Sequence, residues 1–451
     1  MNIIVVGCGK VGMSLVEQLN NEGHDITVID TDSAALEAAQ AHDVQILGGN
    51  GTSFRIQQEA GIEKADLLIA VTDQDEVNLL SCLIAGKNSR CRTVARVRSP
   101  EYFEEIDYIR ECMGTSLIIN PEYATALEID HLIRIPSAME VDTFAKGRIE
   151  LLKLQVPEKS VLHGMSLLDF SQRFDRNILV CILERAGEVV IPNGDTVLRS
   201  GDNLYVIMPP KEIRRFCNVA GLPVRAIKNV MIAGGSHIAY YLARKLIAGG
   251  ISVKIIESDR TRCEELSMQL PEADIVCGDA TDYDILLEED LPNMDAFVAL
   301  TSSDEENIFL SLYAHKVAPR CKQITKNSRM TLRGLMEDMP VGSLVAPKLI
   351  TAEYISKFVR AQANSGHSAV EALYKLVDGR VEALEFLVRE ASDVTGVPLA
   401  KMKLKQNLLI ACIVRNGRII TPGGSDTIEP GDAVVVITTQ HGLEDIRDIL
   451  R

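Results

Sequence analysis

The sequence predicts an α/β protein in which a doubly wound parallel-sheet domain is followed by a small α+β domain, the whole unit occurring twice in tandem. Three observations predict it: an internal repeat, an alternation of short strands with helix-length stretches, and a change of texture inside each repeat. The repeat is direct. NIIVVGCGKVGMSLVEQL, starting at residue 2, lies over NVMIAGGSHIAYYLARKL, starting at residue 229, and the same offset of 227 takes Asp30 and Asp32 to Glu257 and Asp259. Gly49-Asn50-Gly51-Thr52 lies over Gly278-Asp279-Ala280-Thr281, and TDQDEVN from Thr72 lies over TSSDEEN from Thr301. Further on, KGRIE from Lys146 answers to DGRVE from Asp378, and Arg185-Ala186-Gly187 answers to Arg415-Asn416-Gly417. Self-similarity of this extent makes the chain a tandem duplication. The expected domains are 1–136, 137–224, 225–366 and 367–451.

In the first unit, β-branched runs at Ile3–Val6, Ile26–Ile29, Leu67–Val71, Val94–Val97 and Ser116–Ile119 alternate with amphipathic stretches of helical length. That is the pattern of βαβ units and a parallel sheet. Pro136 then interrupts a helical pattern and marks the boundary near Arg134–Ser137. From about Glu140 short strands follow, at Ile149–Val156, Ile178–Leu183, Val189–Ile191 and Asn203–Ile207, with one helix near Leu167–Phe174. Turn signals separate them, including Pro192-Asn193-Gly194 and Arg199-Ser200-Gly201-Asp202. The second unit repeats the scheme with its boundary near Gly366.

Composition narrows the function classes. With 451 residues the chain fits several domains, and 47 basic against 63 acidic side chains leave a net charge of −16 that repels phosphate backbones and anionic lipid. Nucleic acid is therefore not an expected partner. There is no Trp, only 4% of residues are aromatic, and the longest apolar runs are strand-length, so neither base-stacking platforms nor membrane spans are expected. The start MNIIVVG lacks the pattern of a secretory leader, so the chain is expected in the cytoplasm with reduced thiols. Ten cysteines with no spacing shorter than Cys82 to Cys91, and eight scattered histidines, form no CxxC pair or finger-type zinc site. No metal site is expected.

The chemistry concentrates in Gly7-Cys8-Gly9-Lys10-Val11-Gly12, which follows a strand and opens a helix, with Asp30 ending the next strand 18 residues after Gly12. This is the Rossmann-like dinucleotide fingerprint, and each part has a mechanical reason. Gly7 permits the tight turn, Gly9 lets a pyrophosphate approach the backbone, Gly12 allows helix-to-strand packing, and the helix N-terminus offers free N–H groups. Asp30 accepts from both ribose hydroxyls and repels a 2′-phosphate, favouring NAD(H) over NADP(H). Lys10 lies either over a phosphate or in solvent. Asp32 either caps the next helix or assists at the ribose. Gly49 and Asn50 fall at the adenine edge, and Thr72 and Asp73 occupy the C-terminal strand edge where open parallel sheets bind ligands. Asp73 to Glu76 has capping-box spacing. Arg96 and Arg98 end the following strand and serve either as phosphate clamps or in ion pairs between subunits.

The second glycine loop is degraded: Ser236, His237 and Ala239 replace the counterparts of Gly9, Lys10 and Gly12, and Thr325 and Asn327 replace the arginines. Glu257 still supplies a ribose-binding carboxylate. This site is expected either to bind a nucleotide weakly or selectively, or to be purely structural. No catalytic constellation accompanies the loops. His163 in the first small domain has no counterpart in the second, and no catalytic residue is assigned.

The succession GCGKVG, VIDTD, GGNGT, AVTDQDEVN and ARVRSPEY, followed by a β-rich domain and then by the whole unit again, resembles the RCK (regulator of potassium conductance) family, in the branch that serves bacterial Trk potassium uptake systems. The resemblance spans essentially the whole chain. It implies two nucleotide-binding domains, each with its C-terminal domain, in a non-catalytic regulatory subunit. Gly7, Gly9, Gly12, Asp30, Asn50, Thr72 and Asp73 match nucleotide-contacting stretches, and Lys10 stands where relatives carry a phosphate-binding Arg. The implied ligands are NAD(H), with ATP or ADP as alternatives. The implied partner is a potassium-translocating membrane subunit, on whose inner face a homo-oligomeric ring, dimer to tetramer, would sit as a peripheral protein. Competing readings are an NAD-dependent oxidoreductase and an RCK regulator of another cation transporter.

Overall fold

The computed structural model describes residues 1–144, 148–175, 177–222, 226–328, 339–363, 368–377 and 379–451. The chain divides into two compact units that each draw on both repeats: residues 1–130 with 228–356, and residues 131–227 with 357–451. Duplication thus pairs like domain with like. The boundaries expected at 224/225 and near Gly366, and the Lys146-Gly147 part of the repeated turn, lie outside the described residues.

In the first unit, strands β1 (Asn2–Val6), β2 (Asp25–Asp30), β3 (Gln45–Gly48), β4 (Leu67–Ala70), β5 (Arg92–Arg96) and β6 (Leu117–Ile119) form a sheet of order β3-β2-β1-β4-β5-β6. Every pairing is parallel. Helices cover both faces, so the central strands are apolar along their length: all four residues of β4 are buried. Ile4, Val6, Ile29, Leu68 and Ala95 share one core with Leu79 and Cys82 of the helix Asp75–Asn88. The order reverses between β1 and β4, and ligands of such sheets bind at that switch point.

The second copy uses the same plan. Strands β12 (Asn229–Ala233), β13 (Ser252–Glu257), β14 (Asp274–Cys277), β15 (Ala296–Ala299), β16 (Lys322–Lys326) and β17 (Ser343–Val345), which follow the five strands of the first small domain in the chain, form a sheet of order β14-β13-β12-β15-β16-β17. Between the two halves of this unit Phe103, Tyr123 and Tyr241 form a ring cluster with centroids 4.7 to 5.7 Å apart. The buried Tyr241 hydroxyl accepts from Asn120 Nδ2 at 2.9 Å and donates to the Arg98 carbonyl at 3.1 Å. Both of its hydrogen-bonding roles are satisfied inside the interface, as burial of a phenol requires.

In the second unit, β7 (Glu140–Phe144), β8 (Ile149–Gln155), β9 (Leu179–Arg185), β10 (Glu188–Val190) and β11 (Asn203–Met208) form an antiparallel sheet of order β10-β9-β11-β8-β7. Strands β18 (Ser368–Leu376), β19 (Val381–Val388), β20 (Leu408–Arg415), β21 (Arg418–Ile420) and β22 (Ala433–Thr438) repeat that topology. The strand at Glu140–Phe144 has no counterpart among the expected elements, because four of its five residues are only half-buried and its alternation is weak. One face of each sheet joins a common core of Phe144, Leu151, Ile182, Tyr205, Ala383, Cys412 and Ile437. The turn signals also acquire a cause. Arg185 Nε and Nη2 grip both oxygens of the buried Asp202 at 2.6 Å, and Arg415 grips the buried Asp432 in the same way at 2.8 Å. In each copy the aspartate further accepts the backbone N–H of the residue three before it, Arg199 or Glu429.

Candidate functional site

A cavity of about 720 Å³ opens at the switch point of the first sheet. That is within the ordinary range for a small-molecule site. Gly7 makes the turn out of β1 at φ +99°, and a Cβ there would meet the Thr72 backbone nitrogen at 2.8 Å. Gly12 is needed for a different reason from the one expected. A Cβ at Gly12 would lie 2.0 Å from the Gly7 carbonyl oxygen but 3.6 Å from Val71, so loop closure constrains it before strand packing does. Gly9 caps the helix Lys10–Asn21 at φ −65° and contributes no side-chain acceptor. A Cβ on Gly9 would meet nothing within 4 Å. The protein itself therefore leaves that space open, and the first-turn N–H groups have no side-chain cap to satisfy them.

The carboxylate of Asp30 is fixed by the loop it faces. Oδ2 accepts from the Cys8 backbone N–H and Oδ1 from that of Asp32, at 2.9 Å. Asp32 in turn caps the helix Ser33–Ala39 by accepting from Ala34 N–H at 2.9 Å. Both carboxylates line the cavity together with Gly7, Gly9, Lys10, Val11, Gly49, Asn50, Thr72 and Asp73. Thr72 is held by Asn78, a fully buried residue whose Oδ1 accepts from the Thr72 N–H and hydroxyl at 2.8 and 2.7 Å. Asn78 Nδ2 ties this edge to the Arg96 carbonyl at 2.9 Å. Asn307 holds Thr301 in the same way in the second copy, through Oδ1 to the Thr301 N–H at 2.8 Å. The repeated T-x5-N spacing was the signal for this positioning residue.

Several expected site residues stand elsewhere. Cys8 contributes its N–H, while its thiol is buried against Met13 and pushed up to about 11 by that burial and by the Asp30 charge. Gly12 lies behind the loop. Arg98 is not a lining residue: its guanidinium donates to the Asp73 carbonyl, and its own N–H donates to Asp75. Arg96 lines the cavity instead, with Nη2 3.4 Å from Glu122 Oε1. Burial, partly offset by the attraction of Glu122, holds the Arg96 pKa below its usual value, and burial raises that of Glu122. The capping box at Asp73 to Glu76 does not form. The helix begins at Asp75 after Gln74, which makes no side-chain cap bond; Asp75 accepts from the N–H groups of Arg98 and Ser99, and Glu76 accepts from the Tyr102 hydroxyl. His163 has its Nδ1 occupied by the Ser200 N–H at 2.9 Å.

The second loop keeps the fold of the first but fills it. Glu257 accepts from Gly235 N–H at 2.6 Å and from Asp259 N–H at 2.8 Å, as Asp30 does in its own loop. Ser236 caps the following helix, accepting from Ala239 N–H at 3.4 Å. Arg262 occupies the position of Ala35, a lining residue of the first cavity, and its Nε donates to the Gly235 carbonyl at 2.7 Å. Its guanidinium thus lies on the second loop, where the first copy has only the methyl of Ala35 at the matching position. Burial, with the charges of Arg262 and Arg98 adding to it, lowers the pKa of His237. Among the described residues no helix is long and apolar enough to cross a membrane, and no group of three or more side chains could hold a metal ion.

The TrkA-N domain description matches residues 3–121 and 230–347, and the TrkA-C domain description matches residues 151–221 and 383–451. A Trk system potassium uptake protein TrkA homolog of Archaeoglobus fulgidus is 34% identical over the full length of both chains. The Trk system potassium uptake protein TrkA of Haemophilus influenzae is 29% identical over 97% of this chain and 95% of its own. Among solved structures, the GsuK channel bound to NAD superposes with a TM-score of 0.64 at 15% identity, over 97% of this chain and 77% of that one.

Proposed function

The chain belongs to the TrkA family, with two TrkA-N and two TrkA-C domains, and from that premise we propose that it is the nucleotide-sensing regulatory subunit of a Trk-type potassium uptake system, not an enzyme. The observation that carries the nucleotide reading is the cavity over Gly9, where the backbone is bare, uncapped and faced by Asp30. Those residues fit a nucleotide. Gly7, Gly9, Lys10 and Val11 would take the phosphates on the loop, with Gly12 behind it allowing the loop to close and Cys8 orienting Asp30 through its N–H. Asp30 and Asp32 would hold the ribose, Gly49 and Asn50 the adenine edge, and Thr72 and Asp73 the far end, with Arg98 bracing Asp73. NAD(H) is the primary ligand, and ADP or ATP compete for the same loop. Glu257 and its loop form a weaker, more selective second site.

Regulation follows from linkage. A nucleotide that binds two arrangements of the assembled subunits unequally shifts their populations by no more than that difference in affinity. In this reading the subunits form a ring, dimer to tetramer, peripheral on the cytoplasmic face of a potassium-translocating membrane subunit, which reads out the shift. Thermal stabilisation by NAD, NADH, ADP and ATP tests the site. At a hundredfold excess over Kd a bound nucleotide adds about 2.7 kcal/mol, and Asp30→Ala removes most of it. Potassium flux through the reconstituted transporter tests the function, and nucleotides that bind the subunit yet leave flux unchanged would refute it.

A further inference from the structure

A surface groove at the edge of the second sheet holds a pair of thiols. Cys263 lies in the helix Arg260–Gln269, Cys277 ends the edge strand β14, and both line that groove. Cys277 sits beside Glu257 in the parallel register of β13 and β14, and Cys263 Sγ donates to the Glu257 carbonyl at 3.2 Å. Burial first, and then the hydrogen bond between the two thiols, pushes the Cys263 thiol up to about 11. The duplication gives an independent measure of the same approach. The twins of this pair are Leu36 and Gly48, and a Cβ at Gly48 would lie 3.7 Å from Leu36 Cδ1, an ordinary contact. The two positions face each other in both halves, and only the second half fills both with sulfur.

Access separates this pair from the remaining cysteines. Only Cys112 and Cys277 are exposed, and Cys112 has the Tyr108 hydroxyl beside it instead of a second thiol. Cys82 and Cys91 are both buried, as are Cys181 and Cys412, and burial pushes all four thiols up. Thiol oxidation requires thiolate character and exposure together, so those four are inert. Cys277 presents an exposed sulfur with a buried one behind it, the arrangement of an attacking and a resolving thiol.

We propose that Cys277 and Cys263 are a modification site, oxidised by a hydroperoxide to an intramolecular disulfide that a dithiol reduces again. The exposed Cys277 reacts first. Its deprotonated sulfur attacks the terminal oxygen of the hydroperoxide, the O–O bond breaks, and the leaving alkoxide takes up a proton, with Cys277 left as a sulfenic acid. The Cys263 sulfur then attacks the Cys277 sulfur, the S–O bond breaks, and the hydroxyl leaves as water with the Cys263 proton. Two electrons pass from the two thiols to the peroxide, giving one disulfide, one alcohol and one water; with hydrogen peroxide the alcohol is a second water. Exchange with a dithiol restores both thiols, the dithiol itself becoming a disulfide. Closing the bond also removes the hydrogen that Cys263 gives to the Glu257 carbonyl, at the strand end whose carboxylate holds the second glycine loop.

The test is hydrogen peroxide in small molar excess on the reduced full chain, followed by alkylation in denaturant and peptide mass mapping. The wild type is expected to lose two alkylation sites per chain, to yield a cross-linked peptide pair joining Cys263 to Cys277, and to regain both sites with dithiothreitol. Cys263→Ala is expected to stop at a sulfenic acid on Cys277, trapped by dimedone, and Cys277→Ser to leave Cys263 reduced. Cys112→Ser is expected to behave as the wild type. The melting temperature of each reduced variant reports structural damage separately, and Cys263→Ser repeats the trapping if the Ala variant is poorly folded. A disulfide between chains, a sulfinic acid on Cys277 with Cys263 still alkylatable, or a wild-type chain in which Cys277 stays fully alkylatable overturns the proposal.

Discussion

Gly9→Ala separates a glycine kept for the fold from one kept for a ligand. At φ −65° the backbone already suits an L-residue, and the added methyl would meet no atom within 4 Å. Ala lowers the entropy of the unfolded chain by about 0.4–1 kcal/mol relative to Gly, while as a helix cap it is poorer than Gly by a similar amount. The two terms nearly cancel. The ligand-free melting temperature is therefore expected to move by no more than about 3 °C, given about 2–4 °C per kcal/mol for a domain of 150–250 residues. Binding behaves differently, because the methyl occupies the space over the uncapped helix start. In differential scanning fluorimetry the stabilisation by NADH or ADP, about 2.7 kcal/mol at a hundredfold excess over Kd in the wild type, is expected to vanish. Gly12→Ala is the contrast: its methyl would fall 2.0 Å from the Gly7 carbonyl oxygen, so the free protein itself should be destabilised, by about 1–3 kcal/mol. A Gly9→Ala chain that binds nucleotide within about threefold of the wild type, or that melts far lower without ligand, would refute the reasoning.

Arg262→Ala removes the guanidinium that bonds the Gly235 carbonyl; isothermal titration should then show more nucleotide bound per chain, the increase disappearing in the double variant with Glu257→Ala. Asp202→Asn breaks a two-point grip on Arg185 around a buried carboxylate; denaturant unfolding should register a loss of about 2–3 kcal/mol, discounted from the value for a fully buried pair because the arginine is partly exposed. Its pH dependence follows from the same site: burial raises the Asp202 pKa, but the bonds from Arg185 and from Arg199 N–H outweigh it and hold it below the ordinary value. A depressed folded pKa gives stability that is present above the unfolded value, near 3.9, and is lost as pH falls through the folded one, so the Asn variant should show a flatter acid limb than the wild type.

The parts of the site that depend on local chain geometry were legible in the sequence. A strand, a glycine turn, a helix start and an acid at the next strand end are set by short-range sterics, and Gly7, Gly9 and Asp30 stand together as their spacing implies. Asp32 caps its helix, and the same residue also lines the cavity. What depends on alternatives of similar energy was not legible. Asp73 and Glu76 have capping-box spacing, but the helix starts at Asp75 after an uncapped Gln74, and Glu76 accepts from the Tyr102 hydroxyl instead. Arg96 and Arg98 look equivalent along the chain, yet Arg96 is the last residue of β5 while Arg98 lies beyond it, close enough to donate to Asp73. Arg262, and Lys348, which lines the first cavity from the second half, escaped notice because neither belongs to the fingerprint. Each is visible only when a position is compared with its twin, Ala35 or Glu122.

Those two differences also bear on how a duplicated chain can regulate. Were the halves identical, each cavity would be equivalent, and a ligand would face the same contacts in both. Here Arg262 lies on the second loop, while Lys348 extends the second half into the first cavity. A ligand filling that cavity would touch both halves at once, across an interface built on Tyr241, Asn120 and the ion pair of Arg244 with Glu104. Its affinity must then depend on how the halves are arranged, since a contact made across an interface exists only in arrangements that bring the partners together. A tenfold difference in affinity between two arrangements shifts their ratio tenfold, about 1.4 kcal/mol.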